Sequence, residues 1–362
     1  MRGIYDGYTL FGANGEDAYF AGGNTETGFI GNYGDIANEN ELERVYIIKG
    51  GPGTGKSTMM KAIAERAKSE GNSIEYYRCG SDPESLDCIV LDGKIAVLDG
   101  TAPHVCEMKY PVVKSEIIDV SKYLDIAKLE PYKDKIISAS AMKTVEYASA
   151  YRYMKATSVA ETEMLENSSR LFDSTKAVKY IERFIKNLGK HTGTGRVKYR
   201  YTHAVTMKGM FAIDTMTNMG ETRYTVTDSF SVASLFMNML KDALQKCGFA
   251  LTVGLVPLGG HISGIYIHDA DIGISVGERE EDTKNINMNR FVTQDIKDTV
   301  KGKVRLGAKV RESCLTEAAS SLSKAAEYHF LLEEIYKTAM DFDALSGETD
   351  SVTEDILHRL KK

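Results

Sequence analysis

The feature that most limits what this chain can become is that its second half repeats the apolar outline of its first. Set against itself at an offset of 177, Met60 faces Met237, Ile63 Leu240, Ala67 Leu244, Gly71 Gly248, Ile74 Leu251, Tyr76 Val253, Asp92 Asp269, Ile95 Ile272, Val97 Ile274 and Gly100 Gly277, without a gap. Upstream the offset becomes 178, pairing Glu43 with Glu221, Tyr46 with Tyr224 and Ile48 with Val226, so one residue is missing from the second copy just before its helix. "TETG" (25 to 28) sits over "TMKG" (206 to 209), and Tyr151 and Tyr153 sit over Tyr328 and Phe330. A chain of 362 residues is long for one core, and the repeat divides it into units of ordinary size, 1–192 and 193–362.

The repeat keeps a pattern but not a chemistry. Gly50, Gly51, Pro52, Gly53, Thr54, Gly55, Lys56 and Ser57 satisfy G-x-x-x-x-G-K-[ST], the phosphate-binding P-loop. Its context fits: "RVYIIK" (44 to 49) reads as a buried strand entering the glycines, and Met59, Met60, Ile63, Ala64 and Ala67 recur at helical spacing after them. Glycines allow consecutive backbone N–H groups to curl around a polyphosphate, and the helix N-terminus adds partial positive charge. Lys56 is then expected to reach the β and γ phosphates, Ser57 to take a place on Mg²⁺, and Thr58 to support the α-phosphate side. In the second copy "GGPGTGKS" has become "DSFSVAS": Ala233 replaces Lys56, Asp228 and Phe230 stand where phosphate would approach, and only Ser234 remains, over Ser57. One live site and one inert unit are expected.

"KIAVLDG" (94 to 100) is an apolar strand ending in Asp99, the form of a Walker B strand whose carboxylate holds Mg²⁺ directly or through water. Its counterpart in the second copy is Val276. The strand order along the sequence, with Asp92-Gly93 as a hairpin signal, fits the GTPase and kinase side of the P-loop folds. Two loops at the carboxyl ends of strands complete the candidate site, because ligands of open α/β sheets bind there. In "CGSDPESLD" (79 to 87), Asp82 and Asp87 are candidates to position a water, accept a hydroxyl proton or hold Mg²⁺; in "DGTAPH" (99 to 104), Thr101 and His104 are candidates to sense or polarise a γ-phosphate. Ordinary turn chemistry is the competing reading of both loops.

Each Walker B position is followed by a long stretch of helical periodicity, about 120 to 190 in the first copy, expected as a helical hairpin packed on the sheet or projecting as a lid. Its tyrosine-rich stripe reads as packing. Arg305 and Arg311 are the second copy's candidates for an arginine donated to the live site, against the simpler reading of surface arginines.

A composition of 43% hydrophobic and 27% charged residues is that of a chain folded throughout. The first 20 residues lack the apolar core of a signal peptide and no run approaches a membrane span, so a cytoplasmic protein without membrane attachment is expected. Five cysteines without CxxC spacing suggest neither a disulfide framework nor a zinc site. A net charge of −6 opposes general nucleic-acid binding; the exception is residues 183–208, with seven Lys or Arg and no acid, including Lys198 and Arg200, read as a linker followed by a solvated strand face.

The segments "FAGGNTETGF", "YIIKGGPGTGKSTMMKAI", "CGSDPESLD" and "IAVLDGTAPH", repeated over the whole length with intervening helices, resemble an uncharacterised family of bacterial tandem P-loop ATPases. The resemblance implies ATP binding and places Asp82, Asp87, Thr101 and His104 in the site; the degenerate second half departs from the family, in which both halves carry a P-loop. The expected fold is α/β, two tandem P-loop NTPase-like three-layer α/β/α domains, each with a helical insertion. The expected function is Mg²⁺-dependent ATP hydrolysis, ATP being favoured over GTP because no guanine-reading segment follows Walker B. A small-molecule or nucleotide kinase, with Asp82 or Asp87 as base, and a nucleotide-gated module acting on an unknown protein or small-molecule partner are the alternatives.

Overall fold

In a computed structural model that describes residues 4–5, 7–11, 16–104, 106–295 and 297–362, the chain is mixed α/β. Its first half runs β1 (Thr9–Phe11), β2 (Asp17–Phe20), β3 (Gly22–Thr25), β4 (Gly28–Gly31), α1 (Tyr33–Ile36), β5 (Arg44–Lys49), α2 (Lys56–Ser69), β6 (Ile74–Arg78), β7 (Leu86–Leu91), β8 (Ile95–Asp99), β9 (Ser115–Asp119), α3 (Ile126–Leu129), α4 (Lys133–Leu171) and α5 (Ser174–Leu188). The second runs β10 (Val197–Tyr201), β11 (His203–Thr206), β12 (Gly209–Ile213), α6 (Thr215–Asn218), β13 (Thr222–Thr227), α7 (Ala233–Lys246), β14 (Leu251–Val256), β15 (His261–Ile267), β16 (Ile272–Val276), β17 (Lys284–Asn287), α8 (Lys297–Ala339) and α9 (Phe342–Leu360).

The two halves share one sheet of twelve strands, ordered β17-β13-β16-β15-β14-β10-β2-β6-β7-β8-β5-β9. Read outward from the centre, each half gives equivalent strands in the same order, and the halves meet where β10 pairs antiparallel with β2 at Tyr201 and Phe20. Within the first half β5 is parallel to both β8 and β9, and β6, β7 and β8 form an antiparallel meander. β5 is flanked on both edges and buried almost throughout, which is why it reads as a continuous apolar run rather than an alternating one.

One face of the first half packs Tyr46, Ile48, Ile89 and Val97 against Met59, Met60 and Ile63 of α2. The opposite face, Ile47, Tyr77, Cys88 and Leu98, is covered by Tyr33 and Ile36 of the short α1 and by irregular chain. The expected third layer of long helices is therefore reduced to single turns, α1 and α6.

The helical stretches depart most from expectation. They do not fold back as hairpins on their own copies. α4, 39 residues and about 58 Å long at 1.5 Å per residue, lies antiparallel along the 43-residue α8, with short bridges Leu124–Met340 and Phe172–Val292 at the two ends of the pair. Ala150, Met154, Thr157, Glu161, Met164, Ser168 and Leu171 are buried at alternating steps of four and three, the coiled-coil period. At Gly307 the pair leaves no room for a side chain, since a Cβ there would lie 2.3 Å from Met164 Cγ. The crossing delivers each terminal helix to the other half. α5 packs Ala177, Ile181 and Phe184 with Phe236, Met237 and Leu240 of α7. α9 packs Leu345, Val352, Ile356 and Leu357 with α2 and β5.

Six of the seven Lys and Arg in the basic stretch are exposed, as expected of a linker and a solvated strand face, and Arg200 is the exception. β10 is a central strand, and Arg200 is buried, 3.3 Å from Glu75 with its guanidinium over the rings of Tyr19 and Tyr77; Lys198 is exposed. Among the described residues no helix is long and apolar enough to cross a membrane, and the cysteines are free.

Candidate nucleotide site

The loop between β5 and α2 turns through left-handed backbone at Gly53 (φ 70°) and Gly55 (φ 86°), the latter capping α2. A side chain at Gly53 would be strained by this dihedral and would also strike α8, since a Cβ would lie 2.5 Å from the Glu333 carbonyl oxygen. Lys56, the first residue of α2, bends back to donate to the carbonyls of Gly50 (2.9 Å) and Gly51 (2.7 Å), and its Nζ is 3.6 Å from Asp99. Asp99 reaches this place because β8 is the direct neighbour of β5, with Ile48 in register with Asp99. Asp99 also accepts from the Thr101 amide at 2.8 Å, and the Thr101 hydroxyl donates to Gly50 O at 2.8 Å, so the two strand ends are tied together. Ser57 Oγ accepts from the Leu86 amide at 3.0 Å, which couples the start of α2 to the 79–87 loop.

Pro52 to Thr58 line one wall of a cavity of about 820 Å³. Asp82, Asp87, Asp99, Thr101 and His104 line it as well, so the structure brings together every chemically active residue expected from the two loops. Their states differ. Asp82 is engaged at its rim, accepting from Ser85 Oγ at 2.9 Å and pairing with Lys208 at 3.2 Å. Asp87 is buried, and burial pushes its carboxyl up while the neighbouring His104, 3.6 Å away, pulls it back. The Tyr33 hydroxyl stands 2.7 Å from His104 Nδ1 and 3.4 Å from Asp87.

The remaining wall comes from the crossed helices. α4 contributes Lys143, Thr144, Tyr147 and Tyr151, and the second half contributes Met207, His329, Glu333, Lys337 and Phe342. The tyrosine stripe packs as expected, Tyr147 and Tyr151 lying against the cluster of Ala150, Met154 and Leu322, and it also lines the cavity: Tyr147 donates to Ser81 Oγ (3.0 Å) and Tyr151 to Asn24 Oδ1 (3.2 Å), docking the arm on the strand-end loops. Glu333 is held down to about 2, first by its hydrogen bond with His329 and then by Lys337. Burial lowers the pKa of Lys143. No motif marks these groups. Tyr147 and Tyr151 sit in a periodic stripe that suits packing equally well, and Glu333 belongs by sequence to the other copy.

The two arginine candidates lie elsewhere. Arg305 is exposed outside the cavity lining, and Arg311 is buried, donating to Glu161 at 2.7 Å. Neither is available as a donated arginine in this arrangement.

The equivalent loop of the second half is filled from within. Asp228, at the place of Gly50, accepts from the backbone amides of Phe230 (2.9 Å) and Ala233 (2.7 Å), the latter opening α7 as Lys56 opens α2. Burial raises the Asp228 carboxyl and the amides of the loop lower it. Ser231 keeps the left-handed turn (φ 59°) where the first half has Gly53, while Phe230, Val232 and Ala233 are buried in the core. The carboxylate takes amide donors that a phosphate would use.

No known protein-family model matches the chain, and no curated protein or solved structure matches it.

Proposed function

We propose that the chain is a Mg²⁺-dependent, ATP-binding P-loop NTPase that hydrolyses ATP at one site in its first half, built as two P-loop-like units fused through a common sheet. The observation that carries this reading is the glycine turn at 50–57 beside the cavity, with Lys56 held by the carbonyls of Gly50 and Gly51 and paired with Asp99 at 3.6 Å. A polyphosphate entering there offers Lys56 stronger, charge-assisted acceptors than those carbonyls. The amides of the loop and the N-terminus of α2 supply the remaining donors.

Ser57 and Asp99 present oxygen donors on adjoining elements at the helix start and strand end, a hard donor set that fits Mg²⁺. The ion, when bound, would neutralise charge on the β and γ phosphates. Thr101 positions the loop by its bond to Gly50, and Phe342 and Glu333 of the crossing helices close the side away from β5. Asp87 stands as the group able to hold an attacking water or an acceptor hydroxyl, whereas Asp82 is turned to Lys208. The second half then acts as a structural partner that supplies part of the wall.

Transfer to a small acceptor is the second reading, favoured by Lys143, which faces the cavity from α4. Burial lowers its pKa, and an anionic acceptor beside it would restore its charged form. Titration with ATP and Mg²⁺ tests the main reading: one nucleotide per chain is expected, with Lys56→Ala weakening binding by roughly a hundredfold or more and removing hydrolysis. Two equivalents bound, or unchanged affinity in Lys56→Ala, would exclude it. Phosphate release without added metabolite distinguishes hydrolysis from transfer.

A further inference from the structure

We propose that Cys79, Asp87 and His104 form a binding site for one thiolate-accepting divalent cation of the zinc class, separate from the Mg²⁺ position, with its fourth coordination position open to the cavity. The three residues come from three separate places in the chain: the turn after β6, the start of β7 and the loop after β8. Sequence spacing therefore gives no zinc pattern, and the fold creates the cluster. One ligand atom from each side chain lies within 4.8 Å of the other two. Tetrahedral ligands at roughly 2.0–2.3 Å from zinc stand about 3.3–3.8 Å apart. His104 Nε2 and Asp87 Oδ2 are already at 3.6 Å, so small side-chain adjustments close the set.

The surroundings have the form of an outer shell. The Tyr33 hydroxyl donates toward Asp87 Oδ2 (3.4 Å) and can accept from His104 Nδ1 (2.7 Å). In the tautomer in which Nδ1 donates to the Tyr33 hydroxyl, Nε2 carries no proton and can ligate a metal on the side of Asp87. A ligating histidine whose other nitrogen is fixed by a hydrogen bond is the usual arrangement at metal sites. The His104 ring is further held edge-on by Phe29, with centroids 4.9 Å apart.

All three ligands also line the cavity, as do Lys56 and the turn that precedes it. Three protein ligands with an open position characterise zinc that binds water or a substrate oxygen, whereas closed structural sites use four. The mixed sulfur, nitrogen and oxygen set favours Zn²⁺ or Co²⁺ over Mg²⁺, which prefers oxygen alone. Binding requires Cys79 to lose its proton to solvent, so loading releases one proton per chain from the thiol.

The site does not depend on the nucleotide reading, and its test omits nucleotide. The reduced full chain is titrated with Co²⁺, followed by its thiolate-to-cobalt absorption, and with Zn²⁺, followed by metal content after gel filtration. One equivalent with the thiolate band is expected, with loss of the band in Cys79→Ser and at least about tenfold weaker Zn²⁺ binding in His104→Ala and Tyr33→Phe. Failure of the wild-type chain to bind a stoichiometric metal ion overturns the proposal, as does a full equivalent retained by the Cys79→Ser, His104→Ala double variant. The wild-type cobalt spectrum decides the matter even where a variant does not fold.

Discussion

At the scale of residues, the two halves differ by what satisfies one set of amides. In the first half the turn from Pro52 to Thr58 lines the cavity; in the second Asp228 accepts from two amides of the equivalent loop at 2.9 and 2.7 Å. Removing that carboxylate should resemble removing a helix cap. Asp228→Ala is expected to destabilise the chain by about 1–2 kcal/mol in urea unfolding, while nucleotide stoichiometry stays at one. A second bound nucleotide in this variant would show that the carboxylate alone silences the loop, against the account in which the buried Phe230 and the lost lysine also do so. The turn at 50–57 was legible in sequence because left-handed backbone at Gly53 and Gly55, leading straight into a helix, leaves few alternatives to glycine. Tyr33 and Cys79 were illegible for the opposite reason: each is an ordinary residue made special only by neighbours far away in the chain. Asp228 lay between these cases, since its bulk and charge marked the loop as closed to phosphate but nothing local showed that it would itself occupy the donors.

At the scale of elements, the helices that pack behind the 50–57 turn and its counterpart are placed by exchange. An amphipathic stripe states that a face is buried, not against what. The sequence of α9 therefore belongs to the second copy by repeat register, yet Ile356 and Val352 pack on α2, directly behind the P-loop. Conversely Ile181 of α5 packs on α7, beneath the closed loop. These two buried isoleucines make a matched pair. Ile181→Ala and Ile356→Ala should each cost about 2–5 kcal/mol of stability. Only Ile356→Ala is expected to weaken ATP binding under native conditions, because only its cavity lies under the helix that carries Lys56 and Ser57. Equal effects on binding would mean that the sheet transmits the disturbance to both halves alike. The strands were easier to foresee than these partnerships: β5 and β8 declare burial on both faces by continuous apolar runs, and their adjacency places Asp99 beside the loop. The extent of the helical segments was likewise readable from periodicity, but the antiparallel pairing of α4 with α8 was not. Its seam includes the buried polar residues Thr157, Glu161 and Ser168, which weaken an apolar pattern even as they preserve its period.

At the scale of the whole molecule, a repeat that predicts two units has produced a continuous sheet and a pair of crossed arms. Several connections join the halves: the β2–β10 seam with the ion pair of buried Arg200 to half-buried Glu75, the parallel pairing of β1 with β12, the antiparallel α4–α8 pair, and the exchange of α5 and α9. The β2–β10 seam pairs its strands at a single register position, whereas the exchanged helices bury Ala177, Ile181 and Phe184 against the second half and Leu345, Val352, Ile356 and Leu357 against the first. Cooperative stability should therefore reside mainly in the exchange. A fragment of residues 1–192 carries the complete P-loop and Asp99 but leaves α2 without Leu345, Val352, Ile356 and Leu357. Burying a side chain of this kind contributes about 1.5–3 kcal/mol, so four missing partners amount to roughly 6–12 kcal/mol, comparable with the 5–15 kcal/mol by which domains are ordinarily stable. The fragment alone is expected to be largely unfolded by circular dichroism and to bind no ATP, and co-expression with residues 193–362 should restore both structure and a single nucleotide site. An isolated first fragment that folds and binds ATP with the affinity of the whole chain would refute this assignment, since the crossed helices would then be attachments to a self-sufficient unit rather than the part that completes it.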